Sequence, residues 1–190
     1  DCILMTGGNL KGAKPVLASS SLDIAECAGS KYTASPTLSL YQEAVKKGYK
    51  KIGIVGRPCQ VTASRKMQQV TEINGQLISI VIGLFCMGAF SPEFYSFVKE
   101  NNLDNYDRAD IPKDVVFQGT GEDVIIPYED MRQFIRNACL SCYDPLSELA
   151  DVSVGSTEYD ANWNALIIRS KQGVDLVNKA CASGFIEVKP

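Results

Sequence analysis

The chain has 190 residues, of which 45% are hydrophobic and 22% are charged, a composition typical of a globular domain with a sizeable core. Its formal net charge is −3 and its basic residues are scattered, which excludes the basic surface typical of nucleic-acid-binding proteins. No apolar run reaches the roughly 18 residues of a membrane span, so no transmembrane segment is predicted.

Apolar runs alternate with helix-forming segments from one end of the chain to the other. Strands are predicted at 2–6, 51–56, 77–85, 115–118, 123–127, 151–154, 165–170 and 185–188. Helices are predicted at 21–28, 36–47, 60–70, 91–100, 129–137 and 174–183. This alternation predicts an α/β fold with a mixed, partly parallel sheet and flanking helices, and the turn at 119–122 predicts one antiparallel hairpin.

We expect one domain over residues 1–190, cut from a longer protein. The chain starts with Asp1 and runs directly into the apolar residues of a first strand, so a preceding segment is expected. Seven cysteines, an odd number, argue against a fully paired secreted disulfide scaffold. A reducing, cytoplasmic location is therefore predicted.

Four cysteines are placed where a metal cluster would need them. Cys59 and Cys86 each follow an apolar predicted strand, and Cys139 and Cys142 form a CxxC pair; the chain has no histidine. Ligands of an α/β sheet gather at the carboxyl ends of its strands. Four thiolates on loops at strand ends, including one CxxC, are typical of a [4Fe–4S] cluster.

The spacing leaves other interpretations open. A cysteine after an apolar strand is often a small buried core residue, and a CxxC pair also occurs in redox and zinc sites. Zinc sites typically use two close pairs, whereas this chain has one. Arg57 could activate Cys59 as a nucleophile, but no histidine is present to act as its base. Cys2, Cys27 and Cys181 have no informative spacing.

Two segments have the composition of a cofactor site. Residues 29–37 combine small hydroxyl side chains, a lysine and a tyrosine with a helix start, which suits the diphosphate of a dinucleotide. An ordinary helix cap has the same composition. Residues 151–156 end a strand in a glycine turn, and Trp163 follows. The chain contains neither a GxGxxG nor a Walker motif.

In order along the chain, these segments resemble the beta subunits of coenzyme F420-reducing hydrogenase and related F420 dehydrogenases. The similarity covers nearly the whole chain. The matching stretches are AGSKYTASP (28–36), RPCQ (57–60), SRKMQ (64–68), GLFCM (83–87), CLSC (139–142), SELADVSVGS (147–156), Trp163, IIRS (167–170) and Gly173. The family's glycine-rich N-terminal stretch and its C-terminal extension are absent, so the resemblance implies truncation at both ends.

The resemblance implies an F420-dependent oxidoreductase of the hydrogenase or dehydrogenase beta-subunit type. FAD would exchange hydride with coenzyme F420, the substrate, and the cluster would pass single electrons to iron–sulfur partner subunits. No catalytic side chain is implied, because the hydride moves between cofactors. The alternative is a zinc-stabilised or structural α/β interaction subunit without redox activity.

The site residues carried over by motif fall into two sets. The implied cluster ligands are Cys59, Cys86, Cys139 and Cys142. The implied flavin contacts are Gly29, Ser30, Lys31, Tyr32, Ser35, Pro36, Thr37, Arg57, Ser153, Gly155, Ser156, Trp163 and Asn164.

Overall fold

A six-stranded mixed sheet forms the centre of the molecule. The computed structural model describes residues 1–157, 160 and 162–189. The strands of the sheet are β1 (Cys2–Asn9), β2 (Gly12–Ala18), β3 (Ile52–Gly56), β4 (Ile78–Leu84), β8 (Val152–Ser156) and β9 (Asn164–Ile168). Their order is β2–β1–β3–β4–β8–β9, in which β1, β3, β4 and β8 run parallel and the two edge strands run antiparallel to their neighbours.

The described part of the chain contains six α-helices. They are α1 (Ser21–Glu26), α2 (Tyr41–Lys46), α3 (Pro58–Gln68), α4 (Glu93–Glu100), α5 (Tyr128–Met131) and α6 (Lys171–Ala182). The main core joins α2 and α3 to the sheet through residues such as Leu4, Tyr41, Ile54, Val61 and Val81, all buried. The alternation of apolar strands and helices therefore produces the predicted α/β fold, and that prediction is confirmed.

A second, smaller sheet lies beside the first. Its strands β5 (Arg108–Asp110), β6 (Val115–Gln118) and β7 (Val124–Ile126) are antiparallel. The β6–β7 pair is the hairpin expected around residues 119–122. Phe117 and Val115 of β6 pack with Phe94 of α4, Met131 of α5 and Phe90 in a separate hydrophobic cluster.

Two predicted elements are wrong. The helix predicted at 129–137 stops being α-helical after Met131, because the following residues form backbone hydrogen bonds with the loop after β4. Ser91 donates to Phe134 O at 2.7 Å, and Arg136 donates to Ala89 O at 3.0 Å. The strand predicted at 185–188 is irregular, and β2 and β5 were not predicted.

In the described part of the chain, no helix has both the length and the apolar character needed to cross a membrane.

Candidate functional site

Cys59 lies in the first turn of α3, just after the carboxyl end of β3. Arg57 is the N-cap residue and Pro58 is the first helical residue. Proline suits this position because the first amide of a helix has no hydrogen-bond partner within the helix, so the N–H that proline lacks is not needed. The Arg57 amide donates to Gln60 Oε1 at 3.0 Å, which fixes the turn. The Cys59 side chain is exposed.

Cys86 follows the carboxyl end of β4, the strand next to β3. Its amide donates to Pro145 O at 2.9 Å, and its half-buried thiol donates to Gly88 O at 3.4 Å. Because β3 and β4 are parallel neighbours, Cys59 and Cys86 lie at the same edge of the sheet, the one formed by the carboxyl ends of its parallel strands.

The CxxC pair reaches this edge on an irregular segment. The Cys139 amide donates to Arg136 O at 2.8 Å and the Cys142 amide donates to Cys139 O at 3.2 Å, so the pair lies on consecutive turns. The Cys139 sulfur lies 4.0 Å from Ala89 O in the loop after Cys86. Cys139 is half-buried and Cys142 is exposed. We call this region, defined by Cys59, Cys86, Cys139 and Cys142, the cysteine edge.

The thiols of Cys59 and Cys139 lie close enough to Cys86 to affect its pKa. Burial raises the pKa of the Cys86 thiol, and the neighbouring Cys139 and Cys59 thiols act in the same direction, while the Arg57 guanidinium opposes them. The fold therefore brings Cys59, Cys86 and Cys139 into one neighbourhood from three separate parts of the chain.

The donor set of the cysteine edge is thiolate sulfur, the chemistry of iron–sulfur sites. Among residues 1–157, 160 and 162–189, no group of three or more histidine, cysteine, aspartate or glutamate side chains has the spacing to hold a metal ion. A [4Fe–4S] cluster would take four thiolate ligands, which these cysteines could supply. The donor chemistry and the shared edge fit such a cluster.

Residues 29–37 cross this same edge of the sheet. Thr37 Oγ1 lies 2.8 Å from Thr6 Oγ1 of β1, and the Gln60 side-chain amide donates to Ser35 O at 3.0 Å. Farther along, Thr33 forms a parallel bridge with Phe90. The segment therefore extends from the end of β1, past the start of α3, to the loop after β4.

The polar groups of this segment are already hydrogen-bonded within the protein. Lys31 Nζ donates to the carbonyls of Cys27, Ala28 and Gly29 at 2.8, 2.5 and 2.9 Å, closing the end of α1. The Tyr32 hydroxyl donates to Asp110 Oδ1 at 2.9 Å, and burial raises the pKa of Tyr32 to about 12. Ser35 and Thr37 are buried, whereas Gly29, Ser30 and Pro36 are exposed.

A pocket of about 170 Å³ lies beside the first part of this segment. Its lining combines residues 28–32 with Gly8, Asn9 and Leu10 of the β1–β2 hairpin, Phe94, Tyr95 and residues 107–110. This volume is below the roughly 300 Å³ of a typical small-molecule site.

Of the other implied flavin contacts, Arg57 lies at the start of α3, and the rest lie farther along the sheet, at or next to β8 and β9. Ser153, Gly155 and Ser156 belong to β8, and Asn164 opposes Ser156 at the start of β9. Since β3 and β4 separate β1 from β8, about 14 Å of sheet lies between these residues and the β1 end of segment 29–37. The structure therefore divides the implied contacts into two groups.

Two of these residues have clear structural roles. A side chain on Gly155 would meet the Phe85 ring, since a Cβ built there lies 2.2 Å from it. The Trp163 ring is covered by the Lys189 ammonium at 3.9 Å from the ring centroid, a cation–π contact.

Several residues of this region were not predicted from the sequence. Tyr95 and Asp110 contact segment 29–37, the first through the Thr33 side chain and the second through Tyr32. Ser147 and Arg169 hold the segment that follows the CxxC pair. These contacts join residues that are distant in sequence, so only the tertiary structure identifies them.

The fold and this edge define a class of protein: an α/β subunit whose parallel strand ends present free cysteines beside a Ser/Thr-rich crossing segment. Two family models identify the class. The model for the C-terminal part of the coenzyme F420 hydrogenase/dehydrogenase beta subunit matches residues 49–190, and the model for the N-terminal part matches residues 1–42. The chain belongs to this beta-subunit family, which confirms the resemblance seen in its motifs.

Individual relatives agree with this assignment. The chain is 34% identical over 185 residues to the coenzyme F420 hydrogenase subunit beta of Methanococcus voltae, covering 93% of this chain and 66% of the relative. The corresponding subunit of Methanothermobacter thermautotrophicus is 31% identical over 186 residues, with the same coverage. The chain thus spans just under two thirds of the length of these relatives.

A solved structure has the same fold. A chain of the F420-reducing [NiFe] hydrogenase complex from Methanosarcina barkeri superimposes with a TM-score of 0.91 at 29% identity. The match covers 100% of this chain and 69% of that chain.

Proposed function

We propose that this chain is the cofactor-binding part of an F420-dependent oxidoreductase beta subunit. Cys59, Cys86, Cys139 and Cys142 bind a [4Fe–4S] cluster, and residues 29–37 bind FAD, which exchanges hydride with coenzyme F420. The proposal combines the family membership of the chain with the arrangement of its own residues.

One observation carries the proposal: segment 29–37 is bonded to both strand ends that bear a cysteine. Gln60, adjacent to Cys59, donates to Ser35 O, and the Phe90 amide, in the loop after Cys86, donates to Tyr32 O at 2.6 Å. A flavin held along this segment lies beside the cysteine edge, which is the proximity that electron transfer between the two cofactors requires.

Residues of the chain have distinct parts in this proposal. When bound, FAD accepts or donates two electrons as hydride and exchanges single electrons with the cluster. Arg57 lies close enough to Cys86 to favour its thiolate form, which is the form that binds iron. Lys31 places a positive charge beside the pocket, where phosphate groups of the dinucleotide would lie.

The second group of implied flavin contacts belongs to the same proposal. Gly155, Ser156, Trp163 and Asn164 lie near the end of β8 and the start of β9, at the far end of the edge from β1. A dinucleotide is long enough to lie along several strand ends, so both groups can contact one extended cofactor.

Partners follow from the relatives and remain part of the proposal. The similar Methanosarcina barkeri chain belongs to a [NiFe] hydrogenase complex. We propose that this chain exchanges electrons with a hydrogenase or dehydrogenase partner that contains iron–sulfur clusters. The exchange takes place in a cytoplasmic, reducing environment in which the thiols stay available.

The test is cofactor analysis of the full chain purified without oxygen. Iron, acid-labile sulfide, zinc and flavin are quantified per chain, and F420 reduction is followed with a reduced dye as the electron donor. The expected result is iron and sulfide in equal amounts, bound FAD and dye-dependent F420 reduction. Zinc without iron or flavin would instead support the structural alternative and reject the redox proposal.

A further inference from the structure

Two polar side chains, Arg169 and Ser153, link the end of β9 to the segment that follows the CxxC pair. Arg169, just after β9, donates through Nη1 to Ser153 Oγ at 2.5 Å and through Nη2 to Leu146 O at 3.3 Å. Ser153 in turn donates from Oγ to Ser147 O at 3.2 Å. We call residues 144–147 the return segment.

The return segment is bonded directly to the strand end that bears Cys86. Ser147 Oγ donates to Leu84 O at 3.0 Å, and the Cys86 amide donates to Pro145 O at 2.9 Å. Gly83 permits this approach, because a Cβ built at that position would lie 2.3 Å from the Ser147 Cβ. Ser147 itself is buried with φ of 56°, a left-handed conformation uncommon for serine, so surrounding contacts must hold it.

The same segment begins two residues after Cys142 and contacts its side chain. The Asp144 carboxylate accepts hydrogen bonds from the Leu146 amide at 3.2 Å and from the Glu148 amide at 3.1 Å, which closes a tight turn. The Cys142 sulfur lies 3.9 Å from Asp144 O. A displacement of the return segment therefore moves Cys142 with respect to Cys86.

We propose that Arg169 and Ser153 are positioning residues that set the separation of Cys142 from Cys86 by holding the return segment in place. This inference rests on the proposed cluster. It gives Ser153 a function other than the flavin contact implied by its motif: the Ser153 side chain is fully buried, and its hydroxyl already joins Arg169 to Ser147.

The test compares three variants of the full chain, each purified without oxygen and loaded with iron and sulfide. Arg169→Lys keeps the charge but cannot make both contacts of the planar guanidinium. Ser153→Ala removes the bridging hydroxyl. Arg132→Lys is the matched control, because Arg132 pairs only with Glu129 on the surface among the described contacts. The readouts are iron release to a chelator and the electron paramagnetic resonance spectrum of the reduced cluster.

We expect Arg169→Lys and Ser153→Ala each to bind the cluster but release iron about tenfold faster, the change that follows from losing one hydrogen bond to a charged donor. Their spectra should shift, because hydrogen bonding and solvent access around the sulfurs determine the electronic state of the cluster. Combining both substitutions should add little, since both remove the same link.

The possible failures are distinguishable. If the unmodified chain binds no cluster, the proposed function is rejected and the positioning role with it. If the unmodified chain binds a cluster and both variants match Arg132→Lys in iron release and spectrum, the positioning role alone is rejected. If one of the two variants, Arg169→Lys or Ser153→Ala, does not fold, the remaining one is compared with Arg132→Lys. Each of the two variants breaks the link to the return segment at a different residue, so either is sufficient.

Discussion

The cysteine edge and segment 29–37 lie side by side but use their polar groups in opposite ways. In segment 29–37, Lys31, Tyr32, Ser35 and Thr37 are bonded to carbonyls, a carboxylate and hydroxyls of the protein itself. At the cysteine edge, the sulfurs of Cys86, Cys139 and Cys142 contact carbonyl oxygens of the described residues at the long distances of 3.4 to 4.0 Å.

This difference separates supporting groups from reactive groups. The crossing segment is stabilised by its own hydrogen bonds and keeps its shape, so it can hold a cofactor mainly through backbone N–H groups and surface contacts. The thiols have weak partners that a metal can replace at little cost. Substitutions in the two regions should therefore have different consequences.

The largest effect is expected from Cys86→Ser. Serine oxygen is a poor ligand for cluster iron, and Cys86 lies near both Cys59 and Cys139, so the variant should lose most of its bound iron. Cys181→Ser is the matched control, since Cys181 is equally free of disulfides but lies exposed on α6. Iron and sulfide analysis measures the result, and equal iron content in the two variants would contradict the assigned ligand.

The next effect concerns the approach of the return segment to β4. Gly83→Ala places a methyl group 2.3 Å from the Ser147 Cβ and 2.9 Å from the Ala150 Cβ. We expect a loss of about 1–3 kcal/mol in the free energy of unfolding, the usual range for overpacking. Gly121→Ala serves as control because its added Cβ meets nothing within 4 Å. Denaturant unfolding measures both, and equal midpoints would show that the return segment moves aside freely.

A smaller effect is expected from Lys31→Met. The variant removes the ammonium that closes the end of α1 on three carbonyls, at a cost of about 1 kcal/mol in the free energy of unfolding. It should also retain less flavin, because the positive charge beside the pocket is lost. The exposed Lys46→Met variant is the control. Unchanged flavin content in a destabilised Lys31→Met chain would restrict Lys31 to its role at the helix end.

The smallest effect is confined to high pH. Burial raises the pKa of Tyr32 to about 12, above its ordinary value of 10.0. The unfolded chain therefore loses this proton first, and the contribution of Tyr32 to stability, complete below about pH 10, falls as the pH rises toward 12. Tyr32→Phe should reduce that pH dependence, with Tyr143→Phe, an exposed position, as the control. Denaturant midpoints across this range of pH measure the dependence. If the midpoint falls equally steeply with pH in Tyr32→Phe and Tyr143→Phe, the Tyr32 hydroxyl is exposed to water.

Much of the central sheet is predictable from local sequence. The runs that form β3 and β4 are apolar, and Pro58 and the residues after it begin α3, so the positions of Cys59 and Cys86 at strand ends follow from short-range patterns. The edge strand β2 contains Lys14 and Pro15, and forms because β1 is available to pair with it. Its sequence alone is not typical of a strand.

The rest of the site depends on contacts between distant residues. The chain after Met131 does not continue as an α-helix because backbone bonds with the loop after β4 compete with those of a helix, and these bonds bring Cys139 to Cys86. Likewise, the Arg169–Ser153–Ser147 link joins residues whose types are common on any surface. Neither arrangement has a local pattern by which it could be found.

The exposure of Cys59 and Cys142 has a consequence for the order in which the protein matures. Surface thiols without a metal react with oxygen and peroxide, first to sulfenic acid and then to disulfides between molecules. Once their sulfurs are bound to iron, those same atoms no longer serve as free nucleophiles. Under the proposed function, the chain therefore has to acquire its cluster soon after synthesis, and a preparation that meets air beforehand accumulates covalent dimers that cannot bind it.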